Sequence, residues 1–260
     1  MSRPAIARPA FELPAWLWLW LPILLLAGVG ASHFLGREVY MRVVFSEWGI
    51  IENLTVLFLL VTIIAGAKLL IAARFPNRRL TVWVAMLTLG CIYFAGEEAS
   101  WGQHLFGWAT PEAWAAINDQ QETNIHNTIG LFDQAPRLAL AIGALVGGVI
   151  IPIIRRSASS ANSKFWNRHH WYWATIVCAP CALLAVCISL PVKLATALGT
   201  AVPDLFRIAP GECKELYLAM FLMIYLLSLS KRMQSWPISC SSIPSTVNQT
   251  VRYRQISRAA

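Results

Sequence analysis

Charge is what this 260-residue chain has least of. Only 13% of its residues are Asp, Glu, Lys or Arg, against 57% hydrophobic residues and a mean hydropathy of +0.55. So thin a supply cannot coat a soluble protein of this size. Basic clusters are missing as well. The 21 Lys and Arg residues behind the net charge of +8 form no stripe of the kind that tracks nucleic acid, so no nucleic-acid partner is expected. The cysteines offer a single CxxC, Cys178 and Cys181, within an apolar stretch. Without a second pair, that reads as small buried hydrophobes rather than a metal or redox motif. No repeat recurs at a fixed period. HExxH and the Glu-x-x-His of di-iron bundles are both lacking, and no nucleophile elbow surrounds Ser100.

Long apolar runs, by contrast, are plentiful: Trp16 to Leu35, Ile50 to Ala73, Leu80 to Ala95, Leu138 to Ile154, Trp171 to Leu190 and Leu216 to Leu229. Alone or with its flanks, each reaches the roughly 20 residues that a spanning helix needs. The fold class expected is an all-α integral membrane protein, a bundle of about six transmembrane helices with membrane lipids as its partners. Residues 1–15 read as a short tail, 16–230 as the transmembrane domain and 231–260 as a flexible tail rich in Ser, Thr and Arg. The first run sits behind Arg3 and Arg8, as a signal peptide would. It is longer than the usual apolar core of a signal, and we read it as a retained anchor.

Placing the N-terminus inside puts 15 of the 21 basic residues in inner segments and leaves Arg37, Arg42, Arg137, Lys193, Arg207 and Lys214 outside. This alternation is the positive-inside pattern and predicts both termini in the cytoplasm. Acidic residues divide more sharply. Of the 13, only Glu12 lies inside.

Their depth is the informative part. The third run is too short to cross unless Gly96, Glu97 and Glu98 are drawn into the membrane edge, and the sixth reaches crossing length only with Glu212 and Glu215, which share a helical face. Glu52 and Asn53 sit at the mouth of the second run, one turn beyond Glu47. Ionisable groups at that depth cost several kcal/mol unless paired or ligated, which makes a site the default expectation. Polar groups at helix mouths can also simply bond one another and hold a bundle together.

Between the third and fourth runs lies a long outer segment, 96–136, rich in Trp, amides and acids. Pro111 is expected to open a short helix through Ala116 with Thr110 as its cap. On a helix, Glu122 and His126 would project from one face, as would Glu97, Trp101 and His104. Asn118, Gln121, Asn124 and Asn127 are the amides able to orient them. Two His and several Glu suit zinc, iron or manganese. We therefore expect Glu97, Glu98, Glu122 and His126 as metal ligands and Glu98 or Glu122 as the proton carrier. Glu52, Trp101, Gln103, His104, Asn124, Asn127, Glu212 and Glu215 are expected around them.

The strings GEEASWGQHLFG and NDQQETNIHN, with SEWGIIENLT before the second run, resemble an uncharacterised family of bacterial multi-spanning membrane proteins. Its hallmarks are GEExSWGQ and an amide-rich Glu-x-Asn-x-His-Asn. The resemblance implies a bacterial inner-membrane location and points to Glu97, Glu98, Gln103, Glu122, Asn124, His126 and Asn127, but supplies no reaction. Three readings follow: a metal-dependent enzyme acting on a lipid or lipid-linked substrate, a proton or cation transporter, and a non-catalytic accessory subunit of a membrane complex.

Overall fold

A computed structural model describes residues 13–44, 49–73, 75–118, 122–125, 128, 130–157, 171–202 and 210–234. All regular structure among them is helical. A π-helical turn, Trp16–Trp20, leads into α1 (Leu21–Phe34), followed by α2 (Arg37–Val44), α3 (Ile50–Ala72) and α4 (Arg78–Glu98). Two short helices, α5 (Gln103–Phe106) and α6 (Glu112–Ala115), lie in the connection to α7 (Gly130–Gly143), which continues through π-type turns at Ala144–Ile150 into α8 (Ile151–Ser157). The rest comprises α9 (Ala179–Cys187), α10 (Leu190–Ala197) and α11 (Pro210–Gln234).

Among the described residues, five helical stretches are long and apolar enough to cross a membrane: Ile50–Ala72, Arg78–Glu98, Ala135–Arg155, Ile176–Ala197 and Pro210–Gln234. The apolar helix Trp16–Ser32 is shorter. The chain is an all-α membrane bundle. Glu97 and Glu98 fall within α4, and Glu212 and Glu215 within α11, as crossing length demands. The fifth stretch departs from its expected bounds: Trp171–Thr175 is not helical, and helix extends past Leu190 to Ala197. Proline explains the phrasing. Pro180 and Pro191 each occupy the first turn of a helix, α9 and α10, where a missing N–H does no harm.

One helix is the core. Within its most apolar window α11 is 83% buried, against 28–39% for the other four, so the bundle is built around it. Every residue from Glu215 to Leu226 is buried. Its two buried tyrosine hydroxyls find partners, as polar groups must in lipid. The Tyr217 hydroxyl donates to the Pro22 carbonyl at 3.1 Å, and the Tyr225 hydroxyl accepts from Trp83 Nε1 at 2.9 Å while donating to the Tyr172 carbonyl at 3.0 Å. Small residues set the helix spacing. A Cβ on Gly148 would stand 2.6 Å from the Phe221 ring and 2.7 Å from Ala182 Cβ. Leu57, Leu60, Ile64, Met86 and Leu89 are exposed on the flank, where lipid is their natural solvent.

Alternating chain direction collects the acids at one end of the bundle, with Glu52 in the first turn of α3, Glu98 in the last of α4 and Glu212 in the first of α11. Lys231 and Arg232 lie in the last turn of α11 and Arg78 and Arg79 open α4, which makes the opposite end basic.

Candidate functional site

α4 ends abruptly at the acidic end. Ser100 (φ 43°) and Trp101 (φ 54°) both take left-handed backbone conformations, followed by Gly102 at φ 91°. For the two non-glycine residues this costs about 1–2 kcal/mol each, and such strain persists only where the surroundings enforce it. The turn throws the Trp101 ring back over Gly96, where an added Cβ would stand 2.8 Å from it. Trp101 Nε1 then donates to Glu97 Oε1 at 2.7 Å. The single helical face expected for Glu97, Trp101 and His104 does not form, because the helix stops at Glu98. Glu97 and Trp101 meet through the turn instead. The His104 side chain lies outside the described residues.

The segment 122–125 folds onto this turn. It is not helical, so the i, i+4 geometry expected of Glu122 and His126 is lost at its start; His126 and Asn127 themselves lie outside the described residues. Glu122 Oε2 accepts from the Ser100 hydroxyl at 2.6 Å and from Asn124 Nδ2 at 2.6 Å. Asn118 Nδ2 donates to both the carbonyl and the Oδ1 of Asn124 at 2.9 Å, and its own Oδ1 accepts from the Glu122 N–H at 3.0 Å. The Ile125 N–H donates to Glu97 Oε2 at 2.7 Å, tying the loop to α4.

Gln103 completes the clasp. Its Oε1 accepts from the Thr123 N–H at 2.7 Å and the Thr123 hydroxyl at 2.8 Å, and its Nε2 donates to Thr110 Oγ1 at 2.7 Å. Thr110 is thus spent on Gln103 and does not cap α6, whose N-cap is Pro111 with no side-chain cap. Glu97, Glu98, Ser100, Asn118, Glu122 and Asn124 are all buried.

A second group forms across the helix mouths. Electrostatically, the company of Glu98 is Glu215 and Glu212 from α11, Arg137 from α7 and Glu52 from α3. Arg137 Nε pairs with Glu215 Oε1, and the Glu215 side chain is 4% exposed against 27% for the arginine. Beneath these groups a cavity of about 260 Å³ runs between α4, α7 and α11. Met86, Leu87, Phe94, Leu140, Leu218 and Leu222 wall its apolar length, and Glu97, Glu98, Arg137 and Glu215 close its polar end. Met86 is 62% exposed and Tyr93 40%, so the cavity opens on the flank of the bundle.

Of the expected residues, those the structure describes fall into two groups that meet at the adjacent pair Glu97 and Glu98. Glu122 belongs to the loop clasp and does not line the cavity. Among the described residues no three His, Cys, Asp or Glu are placed to hold a metal ion. Glu97 and Glu122 each accept hydrogen bonds from N–H or O–H donors. Arg137 was counted in the sequence only as an outer base. Its position after Pro136, at the same depth as the acids, was the signal available. Neither a protein-family model nor a curated protein nor a solved structure matches the chain, so what this site does has to follow from its own atoms.

Proposed function

We propose that the chain is a bacterial inner-membrane protein with both termini in the cytoplasm. Its acidic end faces outward and receives the headgroup of a lipid or lipid-linked molecule. The positive-inside count supports the orientation. The observation that carries the rest is the cavity's division, apolar along the span and ionisable at the membrane edge, which is the division of an amphiphile. Its opening on the flank suits entry from the bilayer. The apolar wall takes the upper acyl chain, and Glu98, Arg137 and Glu215 meet the headgroup. Glu98 is the wall carboxyl placed to exchange a proton with that headgroup, which makes a reaction at the headgroup the chemistry open to the site. The loop clasp holds Glu97 and closes the outer side.

The reading is tested by filling the cavity. Leu140 is only partly buried, so Leu140→Trp should leave the bundle folded while occupying the acyl path. Native mass spectrometry of gently solubilised wild-type protein should show one retained lipid per chain, and the variant should show none. Equal retention by both proteins would exclude this cavity as the lipid site.

A further inference from the structure

One carboxyl group in the cavity wall is left without a hydrogen bond among the described residues. Glu98 is 8% exposed and lines the cavity, yet among the described residues it makes no hydrogen bond or ion pair. Its neighbours are provided for. Glu97 accepts from Trp101 and from the Ile125 N–H, and Glu215 holds Arg137. The wall thus carries three carboxyl groups and one guanidinium, with that guanidinium already turned to Glu215. Glu212 and Glu52, which do not line the cavity, add negative potential at Glu98. A buried carboxylate left in this state is costly, and a cation that hydrogen-bonds to it is the direct remedy.

We infer that the molecule this cavity takes carries an ammonium headgroup, bound by Glu98, with its alkyl chain lying along Leu140, Leu218 and Leu222. This rests on the lipid-site reading above and adds the headgroup's charge. A purely hydroxylated headgroup would bring no positive charge to Glu98, and an anionic one would add to the negative potential already set by Glu215, Glu212 and Glu52. The ammonium supplies both the charge and the N–H donors that Glu98 lacks.

The test uses full-length protein in nanodiscs of equal parts phosphatidylethanolamine and phosphatidylglycerol, which share a phosphate and differ in the ammonium. After gentle delipidation, mass spectrometry should find the ethanolamine lipid retained over the glycerol lipid by about tenfold, the scale of one charged hydrogen bond. Glu98→Gln should bring that ratio close to one while lipid is still retained. A wild-type ratio near one, or a preference that survives Glu98→Gln, overturns the headgroup inference and leaves the cavity reading standing. Retention unaffected by Leu140→Trp overturns the cavity reading itself. A second measurement needs no variant: hexadecylamine should displace the retained lipid from wild-type protein at about tenfold lower concentration than hexadecanol. Equal potency would overturn the inference.

Discussion

Arg137→Met should destabilise the folded protein by about 3 kcal/mol, the lower end of the cost of removing one member of a buried ion pair, because the arginine itself is partly exposed. The group that loses its ion-pair partner is Glu215, whose side chain is 4% exposed, on the helix at the centre of the bundle. Glu98 would lose Arg137 as a cationic neighbour in the same step, since its other electrostatic partners among the described residues are carboxylates. In a thermal melt of detergent-solubilised protein the midpoint should fall by something on the order of 10 °C. The double variant Arg137→Met, Glu215→Leu removes both charges and should recover most of the loss, because a buried ion pair is worth little more than the apolar contacts that replace it. An unchanged midpoint in the single variant would mean that the pair does not hold α7 to α11.

Glu122 yields the second large effect. Its carboxylate is the acceptor for both the Ser100 hydroxyl and the Asn124 amide, each at 2.6 Å. Hydrogen bonds to a charged group contribute about 1.5–3 kcal/mol each, so Glu122→Ala should cost about 3–5 kcal/mol. The loss is local. Without that acceptor the left-handed turn at Ser100 and Trp101 has less to enforce it, and the amides of Asn118 and of 122–125 should exchange with solvent much faster while those of α11 keep their protection. Both donors go to one oxygen, so Glu122→Gln can keep an acceptor for the pair while losing the charge, and should cost roughly half as much. A catalytic Glu122 would behave differently, with Gln as harmful to activity as Ala and neither opening the loop.

That contrast shows what the sequence could and could not reveal. Apolar run length was enough to place α4 and α11, and the shortness of the third and sixth runs was enough to draw Glu97, Glu98, Glu212 and Glu215 to the membrane edge. Hydropathy could not rank the helices by burial. The window of α11 has a mean hydropathy of 1.5 against 2.5 for α3, yet α11 is the core, because tyrosines and a glutamate that lower the average are paired inside the bundle. Spacing arguments in the long connection failed where they assumed helix. Ser100 and Trp101 are not residues that advertise a left-handed turn, and hydrogen bonds with Glu97, Glu122 and Thr123 hold it in place. The cavity was invisible for a simpler reason: Leu140 and Leu222 look the same in sequence as leucines that face lipid.

The central claim, that an amphiphile lies between α4, α7 and α11 with its head at Glu98, is tested most directly by photo-crosslinking. Wild-type protein in bilayers containing an ethanolamine phospholipid with a diazirine in its upper acyl chain would be irradiated, digested and mapped by mass spectrometry. Crosslinks should concentrate on Leu87, Phe94, Leu140 and Leu222 and should fade when unlabelled lipid is added. Crosslinks spread over the exposed flank residues Leu57, Leu60 and Ile64, with none in the cavity, would contradict the account.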